Sequence, residues 1–123
     1  MKTKCLSEKR VTKRTVFSGN AVDFRADIIR LPNGRTAMRE FMSHPGAVAV
    51  LPVLKDGSIV MVRQYRYPVG EATLELPAGK LHSKRDNPRK RAAAELKEET
   101  GYSARSLKPL MSFWPTPAFS DEV

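Results

Sequence analysis

A chain of 123 residues is the length of one domain of modest size with a single hydrophobic core. Hydrophobic residues at 41% and charged residues at 28% exclude a disordered or fibrous chain. The 22 Lys+Arg against 13 Asp+Glu give a net charge of +9, which points to anionic partners such as nucleotides, nucleic acid or anionic membrane surfaces without choosing among them. Cys5 stands alone, so this sequence offers no intramolecular disulfide and no cysteine-based zinc site, and a reducing compartment suits it. The longest apolar run, 46–54, contains Pro52 and is far too short to cross a bilayer. Met1 to Arg14 is basic but lacks the apolar core of a secretory signal, so a cytoplasmic protein with no membrane attachment is expected.

Taken in chain order, Val11 to Phe17 and Ala21 to Leu31 read as strands, the second alternating through Val22, Phe24 and Ala26. Leu31-Pro32-Asn33-Gly34 makes a tight turn, and Arg35 to Met42 returns, giving a small N-terminal antiparallel sheet over 1–43. His44-Pro45-Gly46 breaks that sheet. Ala47 to Leu54 follows as a buried strand, Lys55-Asp56-Gly57 is a hairpin signal, and Ser58 to Tyr65 is expected to pair back. Thr73 to Leu76 is a further strand running into Pro77-Ala78-Gly79, a bend whose glycine would adopt backbone that a side chain forbids. After the loop Lys80 to Arg85, Asn87 as N-cap and Pro88 at the first helical position start a helix that runs through Thr100, with Gly101 just beyond its end. Leu107 to Phe113 reads as a last strand.

That helix carries the chemistry. Glu95, Glu98 and Glu99 stand at i, i+3 and i+4, so three carboxylates crowd one face and repel each other unless a cation relieves them. Hard oxygen ligands of this kind suit Mg²⁺ or Mn²⁺ shared with a substrate phosphate; the bland alternative is a solvated acidic face.

Pro77-Ala78-Gly79 followed by Glu95-Leu96-x-Glu98-Glu99-x-Gly101-Tyr102 resembles the Nudix hydrolases, whose signature reads G-x5-E-x7-R-E-U-x-E-E-x-G-U with U a bulky apolar residue. Val62-Arg63-Gln64-Tyr65-Arg66, Leu74 to Lys80, and Trp114 to Glu122 look like the ADP-ribose pyrophosphatase branch, in which a proline about sixteen residues past the signature is a marker; Pro117 holds that place. The resemblance runs from about Val11 to the last residue. It implies an α+β chain with a Nudix α/β/α sandwich and mixed sheet over 44–123, preceded by the N-terminal sheet that in relatives exchanges across a homodimer. It also implies hydrolysis of ADP-ribose or a related nucleoside diphosphate sugar, to AMP and ribose 5-phosphate in the first case.

By the same resemblance Glu95, Glu98 and Glu99 match the metal-binding carboxylates, with Glu98 and Glu99 in the catalytic role, and the Ala78 carbonyl matches a backbone ligand for Mg²⁺ or Mn²⁺. Arg66 is the first candidate for holding phosphate or terminal ribose, since a guanidinium fork matches phosphate oxygens. Arg39 is a second, with a surface salt bridge an equal alternative. Leu81 matches a position lining the nucleotide site, with plain packing the other reading.

The chain departs from the signature in three places. Ala94 replaces the arginine before the first helical glutamate, and Arg91, one turn before Glu95, is placed to substitute for it by i,i+4 pairing. The loop is one residue longer, so Asp86 falls at the first glutamate of the signature, and Arg89 and Lys90 put cations where the helix dipole disfavours them. Relatives continue past the Phe119-Ser120-Asp121-Glu122 block with strands, a loop that in several supplies a catalytic glutamate, and a closing helix. The C-terminal strands and helix are therefore expected to be missing here, and a homodimer through exposed surface is expected. Two further readings stay open: the same fold acting on another nucleotide sugar, a dinucleoside polyphosphate or a nucleotide coenzyme, and a weakly active or inactive module binding nucleotide or RNA. Nucleic acid is not favoured, because no aromatics interleave the basic stretches.

Overall fold

The computed structural model describes residues 6–123, as eight strands and one helix; the reading of Cys5 lies outside the described residues. Two compact units emerge: the chain up to His44 together with Trp114–Glu122, and Pro45–Phe113 together with Val123.

In the first unit β3 (Asp23–Arg30) is the central strand. It pairs antiparallel along its whole length with β4 (Thr36–Ser43), and the Leu31-Asn33-Gly34 turn closes as expected, Gly34 N–H donating to the Leu31 carbonyl at 2.9 Å. The expected single strand Val11 to Phe17 is instead two short ones, β1 (Lys9–Thr12) and β2 (Thr15–Ser18), both antiparallel to β3. The break has a cause in one side chain. Asp27 accepts the Arg14 N–H at 3.0 Å, taking a backbone donor out of the ladder, while the Arg14 carbonyl still accepts from Ala26 N–H. Asp27 is buried with Arg25, which donates to it at 2.7 Å and lies 5.3 Å from the centre of the Phe41 ring. Burial pushes the Asp27 carboxyl up, but the Arg25 and Arg14 donors outweigh it and hold the group below its ordinary range. The Trp114–Glu122 segment returns to the end of β4. Met42 N–H donates to the Phe119 carbonyl at 2.8 Å in an isolated parallel bridge with Ser120, and the Asp121 carboxylate accepts the His44 N–H at 2.6 Å.

In the second unit β5 (Ala47–Ala49) pairs antiparallel with β8 (Ala78–Lys80), and single hydrogen bonds extend the pair at each end, Val50 N–H to the Pro77 carbonyl and Leu81 N–H to the Gly46 carbonyl. The helix α1 (Pro88–Thr100) packs on both strands, with Val50, Pro77, Leu81 and Leu96 forming the core beneath it. A separate hairpin joins β6 (Val62–Arg66) to β7 (Glu71–Glu75). This pairing corrects the expectation that Ser58 to Tyr65 would return against Ala47 to Leu54: the Lys55-Asp56-Gly57 turn forms, but beyond it only the Val53–Ile59 bridge survives. Leu107 to Phe113 is not a strand. Its sequence fits one, but among the described residues it has no ladder partner, and the Leu107 carbonyl instead accepts the Arg89 guanidinium at 2.6 Å. Arg89 thereby has a use that its position at a helix N-terminus did not suggest.

Candidate active site

Helix α1 is fixed at both ends by its own sequence. Asn87 Oδ1 accepts from the Arg89 and Lys90 N–H groups, Pro88 occupies the first turn, and Gly101 takes the left-handed conformation (φ 76°) that lets its N–H reach the Lys97 carbonyl. With its ends pinned, the helix brings Glu95 and Glu99 to the strand that carries Ala78 and Gly79, with Glu98 on the same helix beside them.

The three carboxylates are not equivalent. Glu95 is only 5% exposed, its carboxylate pressed against Gly79 and paired with the Arg91 guanidinium. Glu99 accepts the Ala78 N–H at 3.1 Å. Glu98 and Glu99 are both exposed, and the Glu98 Oε2 lies 3.8 Å from the second terminal nitrogen of Arg91. The reason for Gly79 differs from the expected bend. Its φ is not positive and it sits inside β8; a side chain is excluded because a methyl there would overlap the Glu95 carboxylate.

The loop ahead of the helix folds around Asp86. Its carboxylate accepts from the His82 N–H at 2.6 Å, the Ser83 N–H at 3.2 Å and the Ser83 hydroxyl at 2.7 Å, and the Ser83 hydroxyl first of all holds it below the ordinary carboxylate range. The acid at the first glutamate of the signature therefore binds its own loop.

Arg66 lies at the end of β6 in a bidentate pair with Glu75, Nε and Nη2 donating at 2.8 and 2.6 Å. Gln64 at 3.2 Å and the Thr73 hydroxyl complete the donors around that carboxylate, whose pKa is lowered to about 2, by Arg66 first and Thr73 next. Glu75 in turn holds Arg66 above its ordinary value, against partial desolvation, and Glu99 adds a smaller pull in the same direction. Arg66 and Glu99 thus share one electrostatic neighbourhood. Glu75 was missed from sequence, although Gln64 opposite Thr73, with Arg66 and Glu75 each two residues on, is the alternation that puts four polar groups on one face of a hairpin.

Arg39 lies in the first unit, where it forms the salt bridge named as its alternative, with Glu8 at 2.5 Å. It also lines a shallow cavity of about 220 Å³ with Phe41, Pro117 and Asp121. Leu81 is buried in the core of the second unit against Gly46, the packing reading of that residue.

A divalent cation is implied by the resemblance, and the chemistry of the donors suits one: Glu95 against Gly79 and Glu99 on the Ala78 N–H, with Glu98 between them in the helix, all hard oxygens. Among the described residues no three His, Cys, Asp or Glu side chains converge closely enough to hold an ion as they stand. Glu95 and Glu98 are paired with Arg91, and Glu99 with the Ala78 N–H. Among the described residues, no helix is long and apolar enough to cross a membrane.

A NUDIX domain family model matches residues 42–123. The chain is 45% identical over 120 residues to an ADP-ribose pyrophosphatase of Bacillus subtilis (strain 168), covering 98% of this chain and 64% of that protein. Identity, coverage of this chain and coverage of the relative are the same, 45%, 98% and 64%, for a methanol dehydrogenase activator of Bacillus methanolicus. An ADP-ribose pyrophosphatase of Mycobacterium tuberculosis is 38% identical over 112 residues, covering 91% of this chain and 54% of its own length. The chain therefore spans less than two thirds of the curated relatives it matches. A crystal structure of an ADP compounds hydrolase superposes with a TM-score of 0.78 over 98% of this chain and 65% of that one, at 21% identity, which is a likeness of fold.

Proposed function

The chain belongs to the NUDIX domain family, and on that footing we propose that it serves the divalent-cation-dependent hydrolysis of the pyrophosphate bond in ADP-ribose or a related nucleoside diphosphate sugar, giving AMP and ribose 5-phosphate from the former. The observation that carries this reading is the β8–α1 corner, where Glu95 lies against Gly79, Glu99 accepts from the Ala78 N–H, and Glu98 is linked to Glu95 through Arg91. The names of two relatives at 45% and 38% identity support the substrate class. A bound Mg²⁺ or Mn²⁺ would supply neutralisation of the pyrophosphate and a water of lowered pKa. Glu99, exposed beside β8, and Glu98, exposed on the helix, are the groups that would orient that water and take its proton. Arg66 would exchange Glu75 for substrate oxygens.

The test is AMP release from ADP-ribose in Mg²⁺ and in Mn²⁺. Activity should vanish with EDTA and fall about a hundredfold in Glu99→Gln, the order of effect of deleting one preorganised electrostatic group. Undiminished activity in that variant removes Glu99 from the site. A second reading, a nucleotide- or RNA-binding module of little or no activity, is favoured by the net charge of +9 and by carboxylates already partnered within the protein. No turnover together with RNA affinity that falls steeply with salt would select it. A cytoplasmic homodimer belongs to the leading proposal. Light scattering should give twice the 13.8 kDa chain mass, and a monodisperse monomer would remove the dimer from it.

A further inference from the structure

We infer that Arg91 is the positioning residue of this carboxylate site, taking over from one turn earlier the work that the signature gives to the position occupied here by Ala94. The inference rests on the proposed cation-dependent reading and adds to it a residue outside the signature. Helix phase explains why position 91 can do this. At 100° per residue, Glu95 is displaced about 40° to one side of Arg91 and Glu98 about 20° to the other, so a side chain rising from position 91 runs between them. An arginine at 94 would lie to one side of both.

The contacts follow that phase. One terminal nitrogen of Arg91 pairs with Glu95 Oε1, and the other lies 3.8 Å from Glu98 Oε2, so a single planar fork ties a buried carboxylate to an exposed one across two turns. Arg91 engages each of them through one oxygen. The Nε of Arg91 is buried without an acceptor. The buried Nε of Arg25, in its salt bridge with Asp27, likewise lacks an acceptor, so what marks Arg91 is its two terminal nitrogens, one toward each carboxylate. Glu95, confined by Gly79, has little freedom except along the direction that Arg91 fixes.

Three variants of the full chain test this by Mn²⁺ binding, followed by electron paramagnetic resonance and calorimetry: Arg91→Met, Arg91→Lys, and Arg91→Met combined with Ala94→Arg. Methionine keeps the apolar stem and removes the fork, so a packing role would leave Mn²⁺ affinity unchanged. The positioning role predicts a loss of about tenfold or more, the size typical of groups that orient metal ligands. Lysine should rescue part of it and Ala94→Arg most of it. Arg91→Met binding Mn²⁺ as tightly as the wild type, or more tightly, would overturn the inference, the second outcome making Arg91 a competitor of the ion. A wild-type chain that binds no Mn²⁺ would overturn the cation-dependent reading itself, and the inference with it. Circular dichroism of each variant separates these results from loss of fold.

Discussion

The β8–α1 corner and the β6–β7 hairpin each set an arginine against a glutamate, in opposite surroundings. Arg91 and Glu95 have side chains 24% and 6% exposed on the helix; Arg66 and Glu75 are 47% and 27% exposed on a two-stranded ribbon. Geometry ranks them the other way, since the hairpin pair is bidentate with two further donors around its carboxylate. Burial decides which pair the fold depends on. A carboxylate cut off from water must keep its partner, whereas a carboxylate in contact with water is solvated when its partner leaves. The corner is thereby a fixed platform, and the hairpin holds an arginine that solvent, and in the proposed function a phosphate, can take from its partner.

The largest expected effect tests the fixed side of this contrast. Gly79→Ala forces the Glu95 carboxylate out of its place and parts it from Arg91, and breaking a buried pair costs about 3 kcal/mol. Urea denaturation should show this as a lowered midpoint with an unchanged slope. A shift under about 1 kcal/mol would mean that Glu95 relocates freely and that the corner is no more rigid than the hairpin.

The smallest effect tests the exchangeable side. Glu75 has its folded pKa depressed to about 2 from 4.5, so its contribution to stability is complete above the unfolded value and is lost as pH falls from about 4.5 through 2. Arg66→Met should lower the urea midpoint slightly at pH 7 and leave it unchanged at pH 2, so that its fall between pH 5 and 2 is flatter. A variant whose acid sensitivity equals that of the wild type would leave Thr73 and Gln64, rather than Arg66, as the source of the depression.

How much of this the sequence revealed depended on whether the cause was local. The helix ends are legible because Asn87, Pro88 and Gly101 act within a turn of themselves, and so is the i,i+4 placement of Arg91 and Glu95; the reach of Arg91 to Glu98 is not. Strand partners were not: a turn at Lys55-Asp56-Gly57 signals reversal, yet Val62–Arg66 pairs with the following strand and β5 with the distant β8. Gly79 was singled out for a backbone reason when the actual one is a side chain sixteen positions on, which only the folded chain brings there. Val11 to Phe17 reads as continuous because nothing in its own letters announces that Asp27 will take the Arg14 donor.

The Asp86 clasp has a consequence for how this site tolerates change in length. Because the loop closes on Asp86 before Asn87 caps the helix, its additional residue is absorbed upstream of the cap and leaves the rotational phase of α1 untouched. One residue inserted after Asn87 would instead turn every later position by 100° and point Glu95, Glu98 and Glu99 away from β8. The short stretch from Lys80 to Asp86 thus behaves as a length buffer, and Asn87 marks where variation in length ends and strict phase begins.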